Sequence, residues 1–288
     1  MADSVPSRLR LTVIGAGLGS APHFQSQDDL ATVARVHWVY GRSAERLAVM
    51  LQHRLGEAAL GLKSLLDAGE LGALVSASAS VRWWRPQHYY DESGRGTLAR
   101  DGGGVLITQA IHTLDLLLCL TGMPQQVPGL ASTSPVHRME CEDTAAALLH
   151  YANGAIGTML ATTAAFPGFA ERIELNGTLG TASLEAGQLQ VTLTNGKNLV
   201  IGAPQASGGG ANPMAFDHAA HREVLKDFIH AVTHGIAPAI TGQSALGVQT
   251  VIEAIITSSR SGASVLLSPA DDPASQRFSG SKGGVCLP

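Results

Sequence analysis

Residues 9–14 form a short apolar run of β-forming residues that ends in Gly15-Ala16-Gly17-Leu18-Gly19-Ser20. A helix is expected to follow, through about residue 33. A turn of this kind can hold a pyrophosphate, because glycine lets the backbone approach closely and the helix N-terminus favours negative charge. A second run, residues 36–40, reads as the next strand and ends at Gly41-Arg42-Ser43. Strand, glycine turn, helix, strand is the opening of a dinucleotide-binding unit. That opening sets a demand on what comes next. Each further parallel strand needs a crossover of about a dozen residues or more, usually a helix.

The chain does not meet the demand. Only residues 42–46 separate the second strand from the apolar run 47–51, and five residues cannot make a crossover. Two readings stay open. Residues 47–51 are a strand isolated by a deletion, or residues 44–68 form one helix capped by Ser43, with Leu47, Leu51, Leu55, Leu62 and Leu66 on roughly one face. The helix, despite Gly56 and Gly61, is the reading that asks for no impossible connection.

Beyond Gly72 the pattern changes to strands. Residues 74–84, 144–151 and 156–162 alternate, and Ala152-Asn153-Gly154 between the last two is a hairpin signal. Further strands are expected at 172–175, 181–185, 189–193 and 199–201. Helices are expected at 103–120, 216–234 and 244–261, a flexible glycine-rich loop at 203–213, and a loosely ordered tail from 268. The fold expected is α/β: a truncated Rossmann-type N-terminal unit (1–72), then an α+β domain with a large, mostly antiparallel open sheet (73–267), then the tail (268–288).

Composition narrows the function. Hydrophobic residues make up 45% and charged residues 15% of the 288, enough for a core. The net charge of −4, with no basic stripe, argues against nucleic acid. Cys119, Cys141 and Cys286 are scattered and show no metal-ligand spacing, so no metal is expected and a reducing compartment is. The apolar stretch 105–120 carries Gln109, His112 and Asp115 and does not read as a membrane span. A cytoplasmic protein is the expectation.

Two clusters offer chemistry. Thr108, His112 and Asp115 fall at i, i+4 and i+7 on one face of the expected helix. A histidine there suits general acid or base work near neutral pH, although a hydrogen-bonded core histidine has the same pattern. Ahead of it lie Arg82-Trp83-Trp84-Arg85, Tyr89-Tyr90 and Arg95-Gly96-Thr97, then Gly102-Gly103-Gly104. At the second strand's end, where NAD-binding proteins usually carry an acidic residue, stand Arg42 and Ser43. Arginine suits a 2′-phosphate and favours NADP over NAD, though it also suits a solvated turn.

The glycine turn, Gln52-His53-Arg54 with residues 62–72, the triple-glycine helix carrying His112, and His221 with Asp227-Phe228-Ile229 before Ile252-Glu253-Ala254-Ile255 together resemble the Gfo/Idh/MocA family of NAD(P)-dependent oxidoreductases. The resemblance runs from about residue 9 to 267, in family order. It implies a Rossmann domain, an open sheet that lines the substrate pocket and mediates homo-oligomerisation, and hydride transfer between NAD(P) and a sugar- or polyol-like substrate. It assigns His112 to proton transfer with Thr108 beside it. It puts Gly15, Gly17, Gly19, Ser20, Arg42 and Ser43 at the cofactor, and Arg54, Arg82, Arg85, Tyr89, Tyr90 and Arg95 at the substrate.

Two departures stand out. The family's Glu-Lys-Pro motif, with its catalytic lysine, is missing along with about two βα units, on the order of 70 residues at about 30 per unit. The lysines present, Lys63, Lys197, Lys226 and Lys282, have other contexts. The place four residues before His112, often Asp in the family, is Thr108. An impaired enzyme is therefore expected, and the alternative is a non-catalytic ligand-binding or oligomerisation protein of the same descent.

Overall fold

The computed structural model describes residues 9–11, 29, 34–36, 48–206, 209–210 and 218–268. The glycine turn, Arg42 and Ser43 lie outside the described residues, as do residues 207, 208 and 211–213 of the 203–213 loop. Near the N-terminus, β1 (Leu9–Leu11) pairs in parallel with β2 (Ala34–Val36), with Leu9 opposite Ala34 and Leu11 opposite Val36. Parallel pairing is what a strand–helix–strand opening requires.

The body is a ten-stranded sheet in the order β11-β10-β9-β8-β3-β7-β6-β4-β12, with β5 also on β6. Its strands are β3 (Leu74–Arg82), β4 (Gln126–Val127), β5 (Gly129–Ser132), β6 (Thr144–His150), β7 (Ile156–Thr162), β8 (Arg172–Gly177), β9 (Gly180–Glu185), β10 (Gln188–Leu193), β11 (Asn198–Ile201) and β12 (Val265–Leu266). Every pairing is antiparallel except β3 with β7. The expected open sheet is present, and the strands read from alternation fall within a residue or two of their positions.

Alternation explains which face is covered. Ala77, Ala79 and Val81 of β3, Ala145, Ala147 and Leu149 of β6, Met159 and Ala161 of β7, and Ile173 and Leu175 of β8 are buried. Small residues dominate the central strands, so helix α2 (Ile111–Thr121) can lie close across β3 and β8. Its Leu114 and Leu117 are fully buried there. Helix α1 (Glu57–Asp67) packs on β9, β10 and β11, and α4 (Gly242–Ser261) on β4, β5 and β12. Helix α3 (Ala219–His234) sits against a 3-10 turn, Gln52–Leu55. Residues 98–121 are long and apolar enough to cross a membrane, but most of the stretch is buried inside the protein.

Two expectations need correction. The helix over 44–68 is only Glu57–Asp67, because Gly56 before it is extended (ψ 142°). Upstream, Ala48 bridges Thr241 and the Val49 amide donates to the Ile240 carbonyl at 3.1 Å. Residues 48–51 are thus neither helix nor a full strand. The leucine spacing was helical by coincidence, and pairing with the residues before α4 decided the backbone. The expected helix at 103–120 is broken in character: a π turn, Leu106–Ala110, precedes α2.

Two buried polar arrangements fix the connections. The Glu142 carboxylate accepts the amides of Gly104 and Leu106, both at 3.2 Å, and its carbonyl accepts that of Val105 at 2.8 Å. A Cβ on Gly104 would stand 1.9 Å from the Glu142 carbonyl oxygen, so the last glycine of the triplet is there for close approach. The other is His137 with Asp143, both side chains fully buried. His137 Nδ1 meets Asp143 Oδ2 at 2.7 Å and Nε2 meets the Arg85 carbonyl at 2.7 Å. Asp143 also accepts the Ser134 amide at 2.8 Å and hydroxyl at 2.6 Å.

Gly104→Ala is expected to destabilise the fold by about 1–3 kcal/mol through overpacking, read as a lower midpoint in urea. Burial pushes the Asp143 carboxyl up, but the donors on Ser134, His137 and Thr144 outweigh it and hold it below the usual carboxylate value of 3.8. A depressed pKa gives stability that is present above the unfolded value and lost as pH falls through the folded one. Thermal melts from pH 5 to pH 2 should therefore fall less steeply in Asp143→Asn than in the parent chain, and equal slopes would remove this role.

Candidate active site

The site is organised by an ion pair. Arg54, on the 3-10 turn, donates from Nε to Asp115 Oδ2 at 2.6 Å and from a terminal nitrogen to Oδ1 at 2.5 Å. It also donates to the Ser244 hydroxyl and carbonyl, both at 3.2 Å. One side chain thus joins the turn to α2 and α4. Asp115 is 1% exposed and Arg54 13%, a bidentate geometry of the strong kind. Burial acts to lower the Arg54 pKa, but the hydrogen bonds and charge of Asp115 outweigh it and hold it above its ordinary value.

The clamp places two rings. His53 precedes Arg54, and His112 lies just under a turn before Asp115 on α2. Their ring centroids are 5.6 Å apart, tilted by 47°. His112 as a residue is partly buried, but its Nδ1 is sealed from solvent and has no hydrogen-bond partner among the described residues. Burial, with the imidazoles of His53 and His221 adding to it, pushes its pKa down to about 3. His112 is therefore neutral near pH 7, the form that can accept a proton. His221, on α3, is 5% exposed. Three imidazoles from three elements converge here.

Thr108, expected beside His112, falls in the π turn. Its hydroxyl is held by the Gly104 carbonyl at 2.7 Å and by the Gln109 side chain. The remaining arginines and tyrosines form a cluster of their own. Arg85 is 2% exposed and donates to the carbonyls of Trp84 (2.9 Å) and Gly210 (2.6 Å), with its guanidinium over the rings of Trp83 and Tyr89. Burial lowers its pKa. The Tyr90 hydroxyl meets that of Thr163 at 2.8 Å, and burial pushes its pKa up to about 12. Arg95 stacks 4.1 Å over Tyr89 and pairs with Glu92, while exposed Arg82 lies 4.4 Å over Phe169.

The structure therefore gathers Arg54 with the histidines and Arg85, Tyr89, Tyr90 and Arg95 with one another. The glycine turn, Arg42 and Ser43 fall outside the described residues. Sequence reading used His53 and His221 as marks of the family resemblance and did not assign them to the site, because no spacing rule connects residues on a turn and two helices. Lys63 pairs with Asp67 and Lys226 with Glu223, away from the rings. Cys119 and Cys141 are free thiols, and burial raises both pKa values, that of Cys141 to about 11. No group of three or more ligand-type side chains suited to a metal occurs among the described residues.

Comparison with known proteins bears on the fold. No curated protein matches the sequence. Among solved structures, a WlbA dehydrogenase from Chromobacterium violaceum, crystallised with NADH and UDP-GlcNAcA, superposes with a TM-score of 0.72 at 20% identity, covering 91% of this chain and 96% of that one. The Bordetella pertussis WlbA dehydrogenase, with the same two ligands, gives 0.65 at 23% identity over 90% and 79%. A levoglucosan dehydrogenase with NADH gives 0.65 at 16% identity over 90% and 79%. At such identities the likeness is one of fold. The family model for the GFO/IDH/MocA C-terminal domain matches residues 60–183, which contain most of α1, β3, the triple glycine, His112 and the central strands. By that match, residues 60–183 are similar to the C-terminal domain of the Gfo/Idh/MocA family.

Proposed function

We propose that the chain is a nicotinamide dinucleotide-dependent oxidoreductase acting on a sugar- or polyol-like substrate, with a nucleotide-binding lobe shortened by an internal deletion. The observation that carries this reading is His112: a neutral imidazole with a sealed, unpartnered Nδ1, in a domain of an oxidoreductase family. The solved neighbours bind NADH, and their second ligands are a nucleotide sugar and levoglucosan.

The cofactor fits the first unit. Parallel pairing of β1 with β2 is what the adenosine half needs. Gly15, Gly17, Gly19 and Ser20 would hold the pyrophosphate, and Arg42 with Ser43 the ribose, with Arg42 favouring NADP. When bound, the nicotinamide takes or gives a hydride. His112 takes or returns the proton of the substrate hydroxyl, with Thr108 four residues before it on the chain. Arg54 orients the histidines through Asp115, and Arg82, Arg85, Tyr89, Tyr90 and Arg95 line the substrate side. A cytoplasmic location goes with this reading.

One observation favours a second reading, a non-catalytic binding or assembly protein. Between β2 and β3 the described residues add no strand, and a two-stranded parallel pair is not stable by itself. Calorimetric titration separates the two. The oxidoreductase reading expects NADPH to bind, more tightly than NADH; no heat with either at millimolar concentration leaves the non-catalytic protein.

Both readings include homo-oligomerisation through the uncovered sheet face. There Leu130, Leu148, Ile156 and Leu160 are 71%, 44%, 51% and 40% exposed, and they sit on neighbouring strands, with Leu130 and Leu160 both opposite Ala146. A contiguous apolar strip of this kind marks an interaction surface. Light scattering should show a dimer or larger for the parent chain and a monomer for Leu160→Asp. A parent chain that is monomeric at all concentrations removes the proposal.

A further inference from the structure

His53 and His221 act on His112, and other ionisable groups lie on the same or neighbouring elements. His53 comes from the 3-10 turn and His221 from α3. Arg54, also on the turn, and Asp115, on α2, neutralise each other. The Cys119 thiol, on the same helix, is held towards its protonated form by burial. Lys63 of α1 and Lys226 of α3 are engaged by their own acidic neighbours. Among the described residues, a proton arriving on His112 therefore meets imidazole as the base with room to take it.

We infer that His53 is the proton relay of this site, taking the proton that His112 receives and delivering it to solvent. This rests on the oxidoreductase reading above. The two rings lie 5.6 Å apart between centroids, a separation that one bridging water can span. His53 as a residue is only partly buried, and its ring lies beside that of His112. The step moves a proton and nothing else: an N–H bond on His112 breaks as one forms on His53, through the O–H bonds of the water, with no change in electron count on either ring. The need for an exit follows from the burial of His112, since a proton held weakly there returns to the substrate oxygen unless another base removes it. His53 sits where it can because Arg54, the next residue, is tied to Asp115.

Two measurements on the full chain test the relay. The ring-nitrogen NMR resonances of His112 should respond to a change of pH in the parent chain, and stay flat in His53→Gln. Steady-state oxidation of sugars and polyols with NADP or NAD should show kcat about 10²-fold lower in His53→Gln, KM unchanged, and partial recovery with added imidazole. Recovery is the readout that a merely structural role does not give. His53→Asn serves if the first variant misfolds. A parent chain that turns over nothing overturns the oxidoreductase reading and the relay with it. A parent chain that turns over, beside a His53→Gln of equal kcat or a His112 signal blind to His53, overturns the relay alone.

Discussion

The bidentate contact of Arg54 with Asp115 is the constraint on which the rest of the site depends. A carboxylate that is 1% exposed is costly unless a cation meets it with good geometry, and removing one partner of such a pair typically costs about 3–5 kcal/mol. The contact is made across three elements that are far apart in sequence: the 3-10 turn, α2 and the start of α4. Each of them carries or borders a group of the candidate site. His53 is adjacent to Arg54, and His112 is on the same helix as Asp115. Ser244, which completes the arrangement, also donates its amide to the Thr241 hydroxyl that caps α4.

Beneath this lies the sheet. Alanines on the inner face of β3, β6 and β7 leave room for α2 to approach, and α2 in turn fills that space with Leu114 and Leu117. Close packing of this kind leaves little freedom to the polar residues on the same helix. The neutral state of His112 follows directly, because a ring packed against the core and beside two other imidazoles cannot easily carry charge. Its chemistry is thus a consequence of where the helix must lie. The separate Arg85 and Tyr90 cluster is held the same way, by burial and by the His137–Asp143 pair whose Nε2 partner is the Arg85 carbonyl.

Much of the sheet was legible because period-two alternation is strong there: Ala77, Ala79 and Val81 are separated by serines, and Ala152-Asn153-Gly154 marks the β6–β7 turn. The ends of α3 and α4 could be read from Gly235 and Gly262, which adopt the left-handed conformation that stops a helix. What could not be read was tertiary. Nothing local says that Val49 pairs with Ile240, so residues 44–68 looked like one helix. Nothing in the spacing of Thr108, His112 and Asp115 says that a π turn intervenes, or that Asp115 faces Arg54 while His53 and His221 approach the histidine. His112 itself was visible as a polar intrusion in an apolar helix. Its surroundings were not, because they come from elements that only the folded chain brings together.

The most direct test of this account is a double-mutant cycle on the clamp. Arg54→Leu, Asp115→Leu and the double variant are unfolded in urea beside the parent chain. The account predicts that each single change is strongly destabilising and that the double variant recovers much of the loss, with a coupling energy of about 3 kcal/mol or more. Single effects that simply add, within about 0.5 kcal/mol, would contradict it, because Arg54 and Asp115 would then not be holding the turn, the helix and the two histidines in place.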